Sequence, residues 1–269
     1  MPLTAQAALL GIVQGLTEFL PVSSSAHLIL ARAFFGFDAD RFGMAFDVAC
    51  HVGTLVAVLV YFRRELAEMI AAVPRLADAG RDPAARLIWL LVIGTVPAIA
   101  AGLLFKHEIE GSLRTPLVAA TMLTLGSLLF FAGERRGSRS RGEATLTMTE
   151  ALWIGCAQAV ALIPGVSRSG VTIAVALLLG LRRRDAARFI FLLAIPAILG
   201  AAAIEAPRLI KAGMDGQNAL LFAIGVVASG IVGYAAVKYL IRYLSTHSLD
   251  VFAWYRLALA ALTFVWLVR

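Results

Sequence analysis

The stretch Ala161-Leu162-Ile163-Pro164-Gly165-Val166-Ser167-Arg168-Ser169-Gly170-Val171-Thr172 sets an arginine and three hydroxyl residues between two apolar runs, directly after a Pro-Gly break. Proline removes a backbone donor and glycine tolerates positive φ, so the break ends one helix and the next begins near Ser167. The free N–H groups of a helix start attract anions, and the fork of Arg168 fits a phosphate. In so apolar a setting the combination predicts a phosphate site inside a membrane protein.

An early stretch answers this one. Gly11-Ile12-Val13-Gln14-Gly15-Leu16-Thr17-Glu18-Phe19-Leu20-Pro21-Val22-Ser23-Ser24-Ser25-Ala26-His27 aligns with Gly155 to Val171 at a constant offset of 144, which puts Gly11 on Gly155, Gln14 on Gln158 and Ser23 on Ser167. The prolines differ by one place, Pro21 falling on Gly165 and Leu20 on Pro164. A period near half the chain suggests a duplicated unit of the kind found in membrane transport folds. The chemistry is divided between the copies, with Glu18 and His27 in the first and Arg168 in the second.

Composition agrees with a bilayer. Of 269 residues, 60% are hydrophobic and only 15% charged, against about a quarter charged in soluble domains. The first segment lacks a basic n-region and a small-residue cleavage site, so no signal peptide is expected. The net charge of +7 fits excess Lys and Arg in cytoplasmic loops better than a nucleic-acid partner, and no nucleic acid is expected. Cys50 and Cys156 lie in apolar segments and read as small core residues, without disulfide or metal spacing.

Along the chain, residues 5–36 are two half-length helices broken at Pro21. A helix of about 15 residues reaches about 22 Å, short of a hydrocarbon core of about 30 Å. The pair therefore reads as a re-entrant hairpin, tolerated only where protein or a water-filled cavity satisfies its backbone. Residues 42–62, 87–105 and 116–132 read as full spans, with Gly94 and Pro97 as kink points. The loop from Arg63 to Arg86 is polar, and a basic linker covers 134–148. The second copy repeats the pattern, with a hairpin at 149–181 and spans at 189–204, 219–241 and 251–268. The expected fold is an all-α integral membrane protein, an inverted repeat of one re-entrant hairpin plus three spans each (1–133 and 149–269). Six full spans and two hairpins result, and an odd number of spans per copy inverts the second. Fourteen loop Lys and Arg, among them Arg63, Arg64, Arg135, Arg136 and Arg183, lie on one side; seven, Arg32, Arg41, Lys106, Arg114, Arg208, Lys211 and Arg269, lie on the other. The richer side is assigned to the cytoplasm, and both termini face outward.

Glu18 sits near the apolar end of the first half-helix, where a lone carboxylate is costly. It reads as a site residue, as a headgroup carboxylate, or as an ion-pair partner of Arg168. Gln14 lies one turn earlier on the same face, and the two oxygens could hold Mg²⁺ or Ca²⁺. Ser23, Ser24 and Ser25 include an N-cap; with His27 one turn on they also allow a hydroxyl nucleophile activated by a base, although a lone histidine is more often a structural hydrogen-bonder. Arg168 needs an anion at membrane depth, and Glu18 alone leaves part of its fork unused. Ser167, Ser169 and Thr172 can donate to further phosphate oxygens. Asp47, His51 and Gln158 read as supporting hydrogen bonds first and ligands second.

Gln14-x-x-x-Glu18, Pro21-Val-Ser-Ser-Ser-Ala-His27 and Pro164-Gly-Val-Ser-Arg-Ser-Gly-x-Thr172 resemble the motifs of the bacterial undecaprenyl-diphosphatase family, associated with bacitracin resistance. The resemblance extends to Phe46-Asp-x-x-x-His51-x-Gly53-Thr54, Gly94-Thr-x-Pro97 and Ala187-Arg-Phe189, and so covers nearly the whole chain. Gln14 departs from a place often held by glutamate. The resemblance implies hydrolysis of undecaprenyl diphosphate to the monophosphate carrier for cell-wall synthesis, in the bacterial plasma membrane, and the loop charges point the active site towards the exterior. It implies Ser24 as nucleophile, His27 as acid/base, a divalent cation at Glu18 and Gln14, and Arg183 as a second family arginine. Arg183 reads equally as one of the cytoplasmic Arg182-Arg183-Arg184 cluster. Direct attack by water stays open, as do a homodimer and the rival of a polyprenyl-phosphate flippase without hydrolase activity.

Overall fold

The computed structural model describes residues 1–38, 41–212 and 216–269, with the side chains of residues 110 and 204–212 outside that description. Arg208 and Lys211, counted above as outer charges, fall in that last group. The chain folds into α1 (Leu3–Phe19), α2 (Ser24–Phe35), α3 (Met44–Tyr61), α4 (Arg63–Ala72), α5 (Pro83–Leu104), α6 (Lys106–Glu110), α7 (Pro116–Arg136), α8 (Met148–Val160), α9 (Arg168–Leu178), α10 (Arg183–Ala212), α11 (Gly216–Tyr243) and α12 (Asp250–Val268). Among the described residues no strand forms. One isolated parallel bridge joins Arg141 to Leu181.

Six helices, α3, α5, α7, the first part of α10, α11 and α12, are long and apolar enough to cross a membrane. The protein is therefore an all-α, multi-pass membrane protein. Around them stand two pairs of shorter helices, α1 with α2 and α8 with α9, each pair interrupted by a turn.

Because lipid tails are as apolar as leucine, helices in a bilayer associate through close packing and small residues. The interfaces follow that rule. On α1, a Cβ added to Gly11 would lie 2.7 Å from the Gly225 carbonyl oxygen, and one added to Gly15 2.7 Å from that of Ser229, so α1 and α11 meet backbone to backbone. On α8, a Cβ at Gly155 would lie 2.5 Å from the Gly94 carbonyl oxygen of α5. The first arm of each broken pair thus lies against the middle long helix of the other half. Ser229 donates to the Cys50 carbonyl at 2.8 Å and ties α11 to α3. At the centre, the run Phe189 to Ile195 of α10 is buried on every face, as expected of a helix that is apolar all round. Phe191 meets Phe19 edge-on at 5.4 Å and so carries the core to the first turn.

Three expectations are corrected. Helix α10 starts at Arg183 rather than 189, because Glu134 partners Arg183 while Glu143 and Glu65 partner Arg188, which lets the charged turn be helical. The loop after Phe62 contains α4, whose Leu66 and Met69 pack on the core. Cys156, expected in the core, faces outward, whereas Cys50 is buried.

The glycine contacts give the first test. Gly15→Val overpacks α1 against α11 and should destabilise the protein by about 1–3 kcal/mol, read as a lower thermal midpoint in detergent. Gly80→Ala, where an added Cβ meets nothing within 4 Å, should leave that midpoint unchanged.

Candidate active site

Each broken pair turns through a serine with unusual backbone. Ser23 has φ 74° and Ser167 φ 75°, and Gly165 between the arms of the second pair has φ 99°. A serine in that region is strained, and such strain concentrates at functional sites. Both serines are N-caps. Ser23 Oγ accepts from the Ala26 N–H at 3.4 Å, and Ser167 Oγ from the Gly170 N–H at 3.2 Å. The turns also bind each other: the Gly165 N–H donates to Ser23 Oγ at 3.2 Å, and Ser169 Oγ donates to the Leu20 carbonyl at 3.3 Å. Two helix starts, those of α2 and α9, are held side by side.

Glu18, 6% exposed, occupies the junction. Its Oε1 pairs with Arg168 from the other turn. Its Oε2 accepts from Gln14 Nε2 and from Ser24 Oγ, each at 2.8 Å, and lies 3.4 Å from His51 Nε2. Arg168 spends one fork nitrogen on Glu18; among the described residues no other carboxylate meets it. The remaining N–H groups of its fork are thereby left for an anion.

Glu18, Ser24, His51 and Arg168 line a cavity of about 490 Å³. Its polar wall carries Glu18, Ser24, His51, Arg114, Gln158 and Arg168, with Ser23, Ser25 and Ser167 at the helix starts. Its other wall is apolar, with Ile99 and Leu103 from α5 and Ala197 and Ile198 from α10. Ile99 and Leu103 are also exposed on the outer surface. The cavity therefore joins a polar, anion-receptive end to an apolar flank that reaches the lipid-facing surface.

The sequence candidates divide accordingly. Gln14, Glu18, Ser23, Ser24, Ser167 and Arg168 come together. Ser169 and Thr172 sit behind the turn. Ser169 serves the Leu20 carbonyl, and the Thr172 hydroxyl donates to the Arg168 and Ser169 carbonyls at 2.5 and 3.3 Å. His27 does not line the cavity. Its Nδ1–H donates to the Ser23 carbonyl at 2.7 Å, its Nε2 meets the Tyr255 hydroxyl at 2.8 Å, and the two rings stack. Arg183 also lies apart, bound to Glu134 together with Arg139 and the Leu249 N–H.

Two residues were not singled out by the sequence patterns. Arg114, grouped there with outer-loop charges, reaches the cavity wall. Arg256, fully buried, donates to the carbonyls of Gly165 and Val166 at 3.0 and 3.1 Å, and to that of Leu123. It lies 4.7 Å over the Phe130 ring and clamps the second turn to α7. An arginine within the apolar run of α12 is itself a signal, since intramembrane charge is seldom placed without purpose.

A hard divalent cation takes oxygen ligands and often leaves several to the substrate. Gln14 Oε1 is buried without a hydrogen-bond partner, one turn from the Glu18 carboxylate, and a half-turn of the amide exchanges its N and O positions. With the amide so turned, the unpartnered Oε1 would face the Glu18 carboxylate in place of Nε2 and fit such an ion, although no group of three His, Cys, Asp or Glu gathers among the described residues.

The comparisons with known proteins point one way. The family model described as bacitracin resistance protein BacA matches residues 7–262. A relative from Rubrobacter xylanophilus named undecaprenyl-diphosphatase is 50% identical over 260 residues, covering 96% of both chains. Relatives of the same name from Thermomicrobium roseum and Trichlorobacter lovleyi are 45% and 41% identical; the first covers 94% of both chains, and the second covers 94% of this chain and 93% of its own.

Proposed function

The chain belongs to the bacitracin resistance protein BacA family, and on that premise we propose that it is a membrane phosphatase that hydrolyses undecaprenyl diphosphate to undecaprenyl phosphate and inorganic phosphate. The observation that carries this reading is the half-used fork of Arg168, paired with Glu18 at the polar end of a cavity whose other flank is apolar. A diphosphate on a long polyprenyl tail needs both ends. The relatives' shared name favours hydrolysis over a flippase without chemistry.

The two broken helix pairs are re-entrant hairpins of an inverted repeat, residues 1–133 and 149–269 with the linker 134–148 between. The matched Ser23 and Ser167 backbones and the reciprocal packing of α1 on α11 and α8 on α5 support this. In the bacterial plasma membrane the polar end then opens to the exterior, as the loop charges suggest.

In this reading Arg168 and the start of α9 hold the phosphate charge, which in phosphoryl transfer is the main catalytic task. Ser24 is the nucleophile. Its hydroxyl already donates to Glu18 Oε2, so Glu18 rather than His27 takes the proton as the Ser24 oxygen bonds to the terminal phosphorus. The bond from that phosphorus to the bridging oxygen breaks, and undecaprenyl phosphate leaves with the electron pair. Glu18 hands its proton to the departing phosphate and is a carboxylate again. Water then gives it a proton as the water oxygen bonds to the phosphoserine phosphorus. The bond from phosphorus to the Ser24 oxygen breaks, and Ser24 regains the proton from Glu18 as inorganic phosphate leaves. His27, held by Ser23 and Tyr255, fixes the first turn and so the aim of Ser24. A divalent cation held by Glu18 and Gln14 would screen the diphosphate's negative charge.

Ser24→Ala should therefore lower phosphate release by about a hundredfold or more, while Ser23→Ala and Ser25→Ala, which remove cap or neighbouring hydroxyls, cost only about 1 kcal/mol of stability. Equal, mild losses across the three serines would instead favour an activated water. Excess chelator should stop turnover by purified protein and Mg²⁺ or Ca²⁺ restore it; full activity in chelator would remove the ion from the mechanism.

A further inference from the structure

We infer that Arg114 is a second phosphate-binding residue of the cavity, contacting either the phosphate group of the bound diphosphate that Arg168 does not hold or the inorganic phosphate once formed. The inference rests on the phosphatase reading above. Arg114 stands just ahead of Thr115, the N-cap of α7, and reaches the same cavity as Arg168, Glu18 and Ser24.

Its surroundings leave its charge unspent. Asp47, buried on α3, is gripped by the fork of Arg32: Nη1 donates to Oδ2 at 3.2 Å, and Nη2 pairs with Oδ1. That bidentate pair already balances the carboxylate. Arg114 adds Nη2 to the same Oδ2 at 2.7 Å, so two guanidiniums share one carboxylate. Among the described residues, Arg114 Nη1 meets only the Met44 thioether, at 3.7 Å, and a thioether is a weak acceptor. Of the cations lining the cavity, Arg168 is answered by Glu18, and Arg114 has no carboxylate of its own.

The placement is tied to the reacting centre. Asp47 and His51 lie one turn apart on α3; His51 Nδ1–H donates to the Asp47 carbonyl at 2.7 Å, and its Nε2 faces Glu18. One turn of α3 thus spans the distance between the Arg114 anchor and the Glu18–Arg168 pair. A half-used guanidinium on a low-dielectric wall draws and orients phosphate. A diphosphate, with two phosphate groups, has more charge to place than Arg168 alone can meet.

The test compares purified wild type with Arg114→Gln, Arg114→Lys and Arg32→Gln. Arg32→Gln is the control: it removes the larger share of the Asp47 contacts, yet Arg32 does not line the cavity. Losing a charge-assisted contact should raise KM for undecaprenyl diphosphate, or weaken inhibition by inorganic phosphate, about tenfold in Arg114→Gln. Turnover at saturation should stay within about threefold, and Arg32→Gln should leave both constants within about twofold. A change in KM alone assigns the contact to the bound diphosphate; a change in phosphate inhibition alone assigns it to the product. Arg114→Lys keeps a charge against Asp47 but gives up the spare nitrogen, so it should shift in the same direction, and it carries the test if Arg114→Gln does not fold. Unchanged constants in the Arg114 variants, or equal effects in Arg114→Gln and Arg32→Gln, would overturn the inference. Should wild type release no phosphate at all, the phosphatase reading fails. Stabilisation of wild type, but not Arg114→Gln, by inorganic phosphate in thermal unfolding would still establish the anion contact, and equal stabilisation would refute it.

Discussion

The ion pair between Glu18 and Arg168 binds the two halves of this protein at their turns. Each charge is expensive at such depth, and a buried pair is seldom worth more than a well-packed apolar one. Removing one partner, by contrast, leaves an uncompensated charge at a cost of roughly 3–5 kcal/mol. The pair therefore forces the turns together without itself being a reason for stability. Its geometry also leaves the arginine unsatisfied, with one nitrogen used and the rest of the fork open to the cavity.

Much of the architecture follows from bringing these charges into contact. The turns meet only if their arms can approach the neighbouring helices closely, which is why Gly11, Gly15 and Gly155 stand where carbonyl oxygens leave no room for a side chain. They hold their shape only if their own polar groups are met. Ser23 and Ser167 cap the helices behind them, and Arg256 gathers the carbonyls of the second turn. The cavity left between them has one charged end and one apolar flank, the two surfaces that a phosphorylated lipid presents.

The sequence disclosed this architecture to the extent that it is local. The offset of 144 between Gly11 and Gly155, the Pro-Gly break and the three serines are short-range patterns, and the turns, caps and six apolar helices lie where they indicated. The pairing of Glu18 with Arg168 was legible because each charge needed a partner. What depends on side-chain direction was not legible. His27 and Ser24 are helical neighbours, yet the histidine turns to Tyr255, 228 residues away, while Ser24 turns back to Glu18, six residues before it. Arg114 looked like any loop cation until α3 placed Asp47 beside it, and Arg183 resembled a site residue until α7 supplied Glu134. The charged start of α10 has no local signal for a helix, because its partners, Glu65, Glu134 and Glu143, are distant in sequence.

The dependence of hydrolysis on a guanidinium joined to Glu18 is tested most directly by phosphate release from undecaprenyl diphosphate, comparing purified wild type with Arg168→Lys. A lysine can keep the pair with Glu18 as a point charge but offers no second, parallel donor to a phosphate. The expected result is an inserted, folded protein with an unchanged thermal midpoint and release reduced by about a hundredfold or more. Wild-type release by Arg168→Lys would contradict a site built on the open fork of Arg168.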